Sequence, residues 1–262
     1  MFTLVVFTLV VGATTSGAFT NAFNDSAAFG GGFDVRATSS PAQPIVNMPA
    51  AVARTPGVKR GNFPVISSES TLPVKARQVG VGGAEQSYVV NGADDAFLNH
   101  TTYKLAAHAR GYGSSAEVWR AVRDRPNLAV VDPLVVPRRE NWNFAPPPDF
   151  RLKGFYLEDE VFAPVKITVR DQQTGKRLTL TVIGVLSDSA PQFMFGVWTS
   201  QRSVAAAFGN RVLPTIHLFA LAQGVDAKAT AQRLESSFLP NGMQADSLEE
   251  VRRWALDHLV EP

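Results

Sequence analysis

The sequence predicts an α+β domain in which helices pack on a mixed or antiparallel sheet. Val161–Leu186 alternates apolar and polar residues through two runs that flank the polar loop DQQTGK, which is typical of a hairpin with one buried face. The second run becomes apolar on both faces at Val182–Leu186, as in a central strand. Several amphipathic segments follow a serine or an aspartate, which favours capped helices.

Composition restricts the class of protein. The chain has 262 residues, of which 45% are hydrophobic and 18% are charged, as in a globular protein with one large domain or two small ones. With 25 basic and 23 acidic residues the formal net charge is +2, so we expect no nucleic-acid-binding surface. The sequence has no cysteine, which excludes disulfides, thiolate metal sites and a cysteine nucleophile.

The N-terminal segment is strongly apolar. Met1–Val11 reads MFTLVVFTLVV, and no charged residue occurs before Asp25. As a helix this run would extend about 16–20 Å, and about 36 Å if Gly12–Asn24 is included, against a hydrocarbon core of about 30 Å. We predict that residues 1–24 form a partial transmembrane helix or signal-anchor. A cleaved signal peptide, which usually has a basic lead, and a core helix remain alternatives.

The remaining elements follow from periodicity, caps and breakers. Predicted strands lie near Phe33–Ala37, Gly61–Ser67, Thr71–Val79, Gln86–Val90, Leu128–Val131, Gly196–Thr199, Pro214–Ala222 and Met243–Ala245. Predicted helices are Ala50–Thr55, a helix from Ser114 or Ser115 to Arg123, one capped by Thr199 or Ser200 and ending at Phe208, Ala227–Leu239, and Ser247–Val260. The last helix has an apolar face formed by Leu248, Val251, Ala255 and Leu259.

Three polar stretches are candidates for chemistry. The loop Gly80–Gly83 lies between predicted strands, whereas a phosphate-binding loop needs a following helix N-terminus. The adjacent Asp94 and Asp95 lack the spacing of a calcium loop and favour a turn followed by a short helix. Glu158–Glu160 is a run of three acids whose neighbours would point apart on a strand, so we interpret it as a surface turn.

Histidine and serine positions show no catalytic pattern. The four histidines, at positions 100, 108, 217 and 258, have no metal-ligand spacing, and we interpret His217 as a structural histidine within a strand. Ser189 lacks the flanking glycines of a nucleophile elbow. We therefore predict no catalytic, cofactor-binding or metal-binding residues, no cofactor and no enzymatic activity.

Four stretches resemble one family in their order along the chain. FTLVVFTLVV resembles the end of a first transmembrane helix, and GGGFDVRATSS resembles the strand that follows it. YVVNGADDAFL and LTLTVIGVLSD resemble two later segments with a v-v-G-v-d-x-x-f and an f-x-V-v-G-v pattern. Together they resemble the extracytoplasmic core domain of FtsX/MacB-like ABC transporter permeases.

The resemblance implies an organisation and a function. It implies an extracytoplasmic core domain at 25–246 and an exit helix at 247–262 that leads to a second transmembrane helix, so the sequence resembles a fragment of a permease with four such helices. The implied partners are a cytosolic ABC ATPase subunit, reached through regions absent here, a second permease subunit in a homodimer or paired permease, and the bacterial cell membrane. The implied function is to couple ATP hydrolysis to export, lipoprotein extraction or envelope signalling. The alternatives are a secreted soluble binding protein with a cleaved signal peptide and, less supported by the residues, an exported hydrolase.

Overall fold

The computed structural model describes residues 29–139, 148–209 and 212–259. Their strands are β1 (Val35–Thr38), β2 (Val65–Gln78), β3 (Gln86–Ala93), β4 (Leu105–Ala109), β5 (Leu128–Val131), β6 (Val161–Phe162), β7 (Val165–Asp171), β8 (Arg177–Leu186), β9 (Val197–Ser200), β10 (Ile216–Ala220) and β11 (Gln244–Ser247). Their α-helices are α1 (Met48–Arg54), α2 (Asp95–His100), α3 (Ser115–Asp124), α4 (Gln201–Phe208), α5 (Ala227–Ser237) and α6 (Leu248–Leu259). The predicted α+β class, with a mixed sheet and helices packed on it, is confirmed.

All eleven strands belong to one sheet, and part of this sheet closes on itself. The order is β11-β1-β10-β2-β3-β9-β5-β8-β4-β6, while β7 pairs with both β2 and β8. The strands β2, β3, β9, β5, β8 and β7 therefore form a closed ring around the main core. The strands β10, β1 and β11 extend from β2 as an open arm.

The long strand β2 connects the ring to the arm. Its first part pairs with β10, from Val65 to Glu69, and its later part pairs with β3 and β7. The sequence predicted two strands with a break at Ser68–Ser70, and this break is wrong. The polar residues continue the strand because its backbone groups keep ladder partners in β10 and β3.

The described residues form two hydrophobic cores. The main core fills the ring and includes Phe97, Trp119, Val182 and Trp198. A smaller core lies between the arm and helices α1 and α5 and includes Phe63, Phe219 and Leu234.

The predicted hairpin is confirmed by the antiparallel pairing of β7 with β8. Asp171 closes its turn, where Gln173 N donates to Asp171 Oδ1 over 3.0 Å. The predicted central position of β8 is also confirmed, because β8 pairs with β7, β5 and β4. Val182 is fully buried and lies between Val165 of β7 and Ala129 of β5.

The predicted helix caps explain where the helices begin. Ser114 accepts a hydrogen bond from Glu117 N at α3, Ser200 accepts one from Ser203 N at α4, and Asp226 accepts one from Ala229 N at α5.

Strand β4 was not predicted, because LAAHA has no polar alternation over its short length.

Residues 1–24 and part of the Pro133–Pro148 loop lie outside the described residues, so the membrane-helix prediction is not tested by the fold. Within the ranges that the structure describes, no helix combines the length and hydrophobicity needed to cross a bilayer.

Candidate functional site

The first and last strands of the described chain meet at one place on the domain. Strand β1 pairs antiparallel with β11, so that Val35 lies opposite Ser247. Leu248 N, at the start of α6, donates to Asp34 O over 2.9 Å. We call this place the junction, and it joins the incoming segment Phe29–Phe33 to the exit helix α6.

Backbone hydrogen bonds anchor the incoming segment. Thr102 N donates to Gly31 O over 3.0 Å, and Tyr103 OH donates to Phe29 O over 3.3 Å. His100 Nε2 lies 2.7 Å from Gly32 O, so this nitrogen carries the proton that is donated. Histidine 100 is therefore a structural residue, and its role is to hold the segment that leads into the domain.

Aromatic side chains lie beneath the incoming segment. Phe33 stacks on Phe97 with a centroid distance of 5.8 Å, and Phe97 stacks on Trp198 at 5.5 Å. Trp119 meets Phe97 edge to face at 5.9 Å, and its Nε1 donates to Tyr103 O over 2.9 Å. The incoming segment thus contacts a rigid part of the main core and not a mobile surface loop.

Gly31 offers a direct test of this anchoring. It has φ +58°, and a Cβ atom there would lie 2.3 Å from the Tyr103 ring. We expect Gly31→Ala to lower the free energy of unfolding by roughly 2–4 kcal/mol, since left-handed backbone strain adds to overpacking. Urea unfolding of the purified chain measures the change in free energy.

Gly175→Ala is the matched control, because Gly175 has φ +69° and nothing within 4 Å of the added Cβ. The free energy of unfolding of this control should fall by only about 1 kcal/mol, because alanine there introduces left-handed backbone strain without overpacking. Equal losses in the two variants would show that the ring contact does not hold the incoming segment.

The exit helix is attached to the domain by its first turns. Leu248 is 3% exposed in the main core, and Val251 packs on the same core. Ala255 is also buried, and Lys228 of α5 forms an ion pair with Glu250 at 2.6 Å. The predicted apolar face is confirmed at these positions, while the side chain of Leu259 lies outside the described residues.

A buried carboxyl group lies near the junction. Glu69 is 3% exposed, and its Oε1 has no hydrogen-bond partner among the described residues. Burial raises the pKa of Glu69 to about 8, although the charge of Arg36 lowers it and the charge of Asp94 raises it further. Burial also raises the pKa of Tyr103 well above its ordinary value, so its hydroxyl stays protonated.

The acidic and glycine-rich candidates have structural roles. Residues 80–83 connect β2 directly to β3. Asp94 caps α2 by accepting from Phe97 N and Ser68 N, and Asp95 pairs with Arg202. Residues 157–159 form a short 3₁₀ turn, as the surface-turn prediction indicated.

The histidine and serine candidates lie apart from one another. His217 is fully buried with Ser68 Oγ 3.0 Å from its Nδ1 and Ser39 Oγ 3.4 Å from its Nε2, and burial lowers its pKa to about 4. His108 contacts the carbonyl of Ala109, and Ser189 donates to Ser187. The side chain of His258 is not described. Within the described ranges, no three histidine or acidic side chains come together as metal ligands.

One surface groove of about 360 Å³ lies beside α2. Its polar side chains already have protein partners: Arg60 donates to Phe63 O, His100 to Gly32 O, and Asn99 accepts from Arg123. The groove therefore offers a ligand few polar side chains that are not already hydrogen-bonded within the protein.

Sequence reasoning missed the junction and the buried carboxyl. The pairing of β1 with β11 joins opposite ends of the chain, and no local pattern reports it. Glu69 lies in the run SSES, which resembles a loop unless the neighbouring strands are known. An acid within a period-two pattern that continues on both sides was the available signal.

Solved structures of other proteins are similar to this chain, while no protein-family model and no curated protein sequence matches it. The periplasmic region of MacB from Actinobacillus actinomycetemcomitans matches with a TM-score of 0.46 and 10% identity, over 91% of this chain and 98% of that one. The extracellular domain of the noncanonic ABC-type transporter YknZ from Gram-positive bacteria matches with a TM-score of 0.42 and 10% identity, over 82% and 99%.

The third structure is a domain of a protein described as a permease, from Porphyromonas gingivalis, with a TM-score of 0.43 and 12% identity over 86% of this chain and 98% of that one. These likenesses, at identities of 10 to 12%, concern the fold alone.

Proposed function

We propose that this chain is the extracytoplasmic domain of an ABC transporter permease subunit. The observation that carries the proposal is the junction, where the incoming strand β1 lies beside β11 and the exit helix α6 starts next to Asp34. A domain inserted between two membrane helices has to receive and return the chain at one point. Neighbouring strands are about 4.8 Å apart and packed helices are 8–10 Å apart, so the junction suits a pair of adjacent helices.

The proposed division of the chain follows from this arrangement. Residues 1–24 anchor the protein in the bacterial cell membrane, residues 25–246 form the outer domain, and residues 247–262 lead to a second transmembrane helix. Adenosine triphosphate is hydrolysed by a separate cytosolic ATPase subunit, and a second permease subunit completes the transporter. The hydrolysis of ATP moves the membrane helices, and this movement reaches the outer domain through the junction. There it serves export, lipoprotein extraction or envelope signalling.

Membrane attachment separates this proposal from a secreted binding protein. We expect the chain, expressed in a bacterium, to remain in the membrane pellet after alkaline extraction because the apolar N-terminal segment is retained. Mass spectrometry of the N-terminus is the second measurement. A soluble product that begins about 15–30 residues from Met1 would identify a cleaved signal peptide and overturn the proposal.

The exit helix provides a test of coupling in a full-length permease that contains this domain. Leu248→Ala with Val251→Ala is expected to weaken docking of α6, by roughly 2–5 kcal/mol for the buried Leu248 and less for the half-buried Val251. We expect ATPase turnover to continue while transport falls, since the variant loosens the connection and not the motor. The two activities are measured side by side.

Leu239→Ala is the control, because Leu239 is 72% exposed and its truncation removes no core contact. Transport at the wild-type rate, with α6 shown by hydrogen exchange to be loosened, would mean that the helix is only a tether.

A further inference from the structure

Two side-chain oxygen atoms of β2 are buried at the sheet. Ser67 Oγ and Glu69 Oε1 have no hydrogen-bond partner among the described residues, and both residues are at most 3% exposed. Successive positions of a strand alternate in direction, so Ser67 and Glu69 point to the same face of the sheet. A buried polar group without a partner is destabilising, and its presence calls for a physical reason.

Arg36 is the cation on this face. Arg36 lies opposite Leu218, which in turn lies opposite Ser67, so the three side chains share one face. Two strand spacings, about 10 Å, separate β1 from β2. The Arg36 guanidinium acts on Glu69 through its charge alone, and its Cζ lies 5.2 Å from the centre of the Phe193 ring.

Phe193 connects Arg36 to the junction. Its ring meets that of Phe29 edge to face, with a centroid distance of 6.0 Å. Phe29 is buried at the start of the incoming segment. A movement of Arg36 away from Phe193 would therefore remove a contact that holds the Phe193 ring in place against Phe29.

The surroundings of Glu69 contain few other charges. Asp94, before α2, is held by Phe97 N and Ser68 N, and Tyr103 is a buried neutral phenol. His217 lies opposite Ser68 and so faces the other side of the sheet. Arg36 is thus the group positioned to compensate an ionised Glu69.

We propose that Arg36 is a two-position latch, which lies over Phe193 while Glu69 carries a proton and pairs with the Glu69 carboxylate after the proton is lost. A buried carboxylate without a counter-ion is strongly unfavourable, whereas a neutral carboxyl group leaves the guanidinium free to lie on an aromatic ring. Arginine is flexible enough to exchange these positions. Loss of the proton loosens Phe29 and the incoming segment.

Double-mutant cycles on the full chain in detergent micelles test the latch. The cycle combines Arg36→Met with Phe193→Leu, and unfolding is measured at about pH 6 and about pH 9.5, on either side of the Glu69 titration. At the lower pH we expect a coupling of at least about threefold in the unfolding equilibrium constant, as for a cation–π contact. At the higher pH the coupling should disappear, and it should persist at both pH values in the Glu69→Gln background.

A cycle of Phe33→Leu with Phe97→Leu is the control, because this neutral aromatic contact should couple equally at both pH values. An Arg36–Phe193 coupling that does not change with pH in the wild-type background would overturn the latch.

Amide hydrogen exchange is a second test of the latch, and it does not need the Arg36→Met variant to fold. The reporters are the amides of Phe33 and Thr102, which donate to Gly30 O and Gly31 O. Between the same two pH values, we expect their exchange, corrected for the intrinsic rate, to rise about tenfold in the wild type and to stay constant in Glu69→Gln. Equal behaviour of the two proteins contradicts the proposal.

Discussion

Replacement of Val182 with aspartate is expected to unfold the domain. Val182 is fully buried in β8 and has strands on both sides, with Val165 and Ala129 as its cross-strand neighbours. Keeping the new carboxyl group protonated at pH 7 costs about 4 kcal/mol, and the lost apolar packing adds to this. Since domains are stable by about 5–15 kcal/mol, most or all of the stability would be lost.

Thr179→Asp is the control for this variant. Thr179 lies on the same strand but is exposed, so aspartate there keeps its hydration and changes only strand propensity and surface charge. Thermal unfolding followed by circular dichroism compares the two variants with the wild type. A melting temperature of Val182→Asp equal to that of Thr179→Asp would show that β8 is not in the core.

The second large effect concerns the pH dependence of stability. The pKa of Glu69 is raised from 4.5 to about 8 on folding, so between these values the folded protein holds a proton that the unfolded chain has lost. Stability therefore falls as pH rises from 4.5 to 8. At pH 7 the raised pKa of Glu69 lowers the free energy of unfolding by about 3 kcal/mol.

His217 has the opposite effect on the pH dependence of stability, and it acts at lower pH. Its pKa is lowered from 6.5 to about 4, so the unfolded chain binds a proton there that the folded protein excludes, and stability falls as pH decreases from 6.5 to 4. The contributions of His217 and Glu69 oppose each other between 4.5 and 6.5. In the wild type we expect a nearly flat profile in that interval and a decline from 6.5 to 8.

Glu69→Gln separates the two contributions. We expect this variant to be more stable than the wild type above pH 7, with no decline toward pH 8, and to lose stability only as pH falls below about 6.5. Chemical denaturation at a series of pH values measures the profile. If the wild-type and Glu69→Gln profiles run parallel between pH 6 and pH 9, Glu69 does not titrate in the folded state.

The chain's own pattern determined its local elements. Alternation predicted the β7–β8 hairpin, because a strand pattern depends on a few adjacent residues. Capping residues predicted the starts of three helices to within one residue, since the sequence offered Ser114 or Ser115, Thr199 or Ser200, and Asp226. The order of the elements along the chain also determined the α+β class.

Only the tertiary structure decided which strands are neighbours. The pairing of Val35 with Ser247 and the continuation of β2 through Ser67–Ser70 both depend on residues far away in sequence. The same tertiary contacts make Glu69 a buried group instead of a loop residue. Burial is a property of the packed domain, and these four polar residues have the same local preference whether or not β10 and β3 lie beside them.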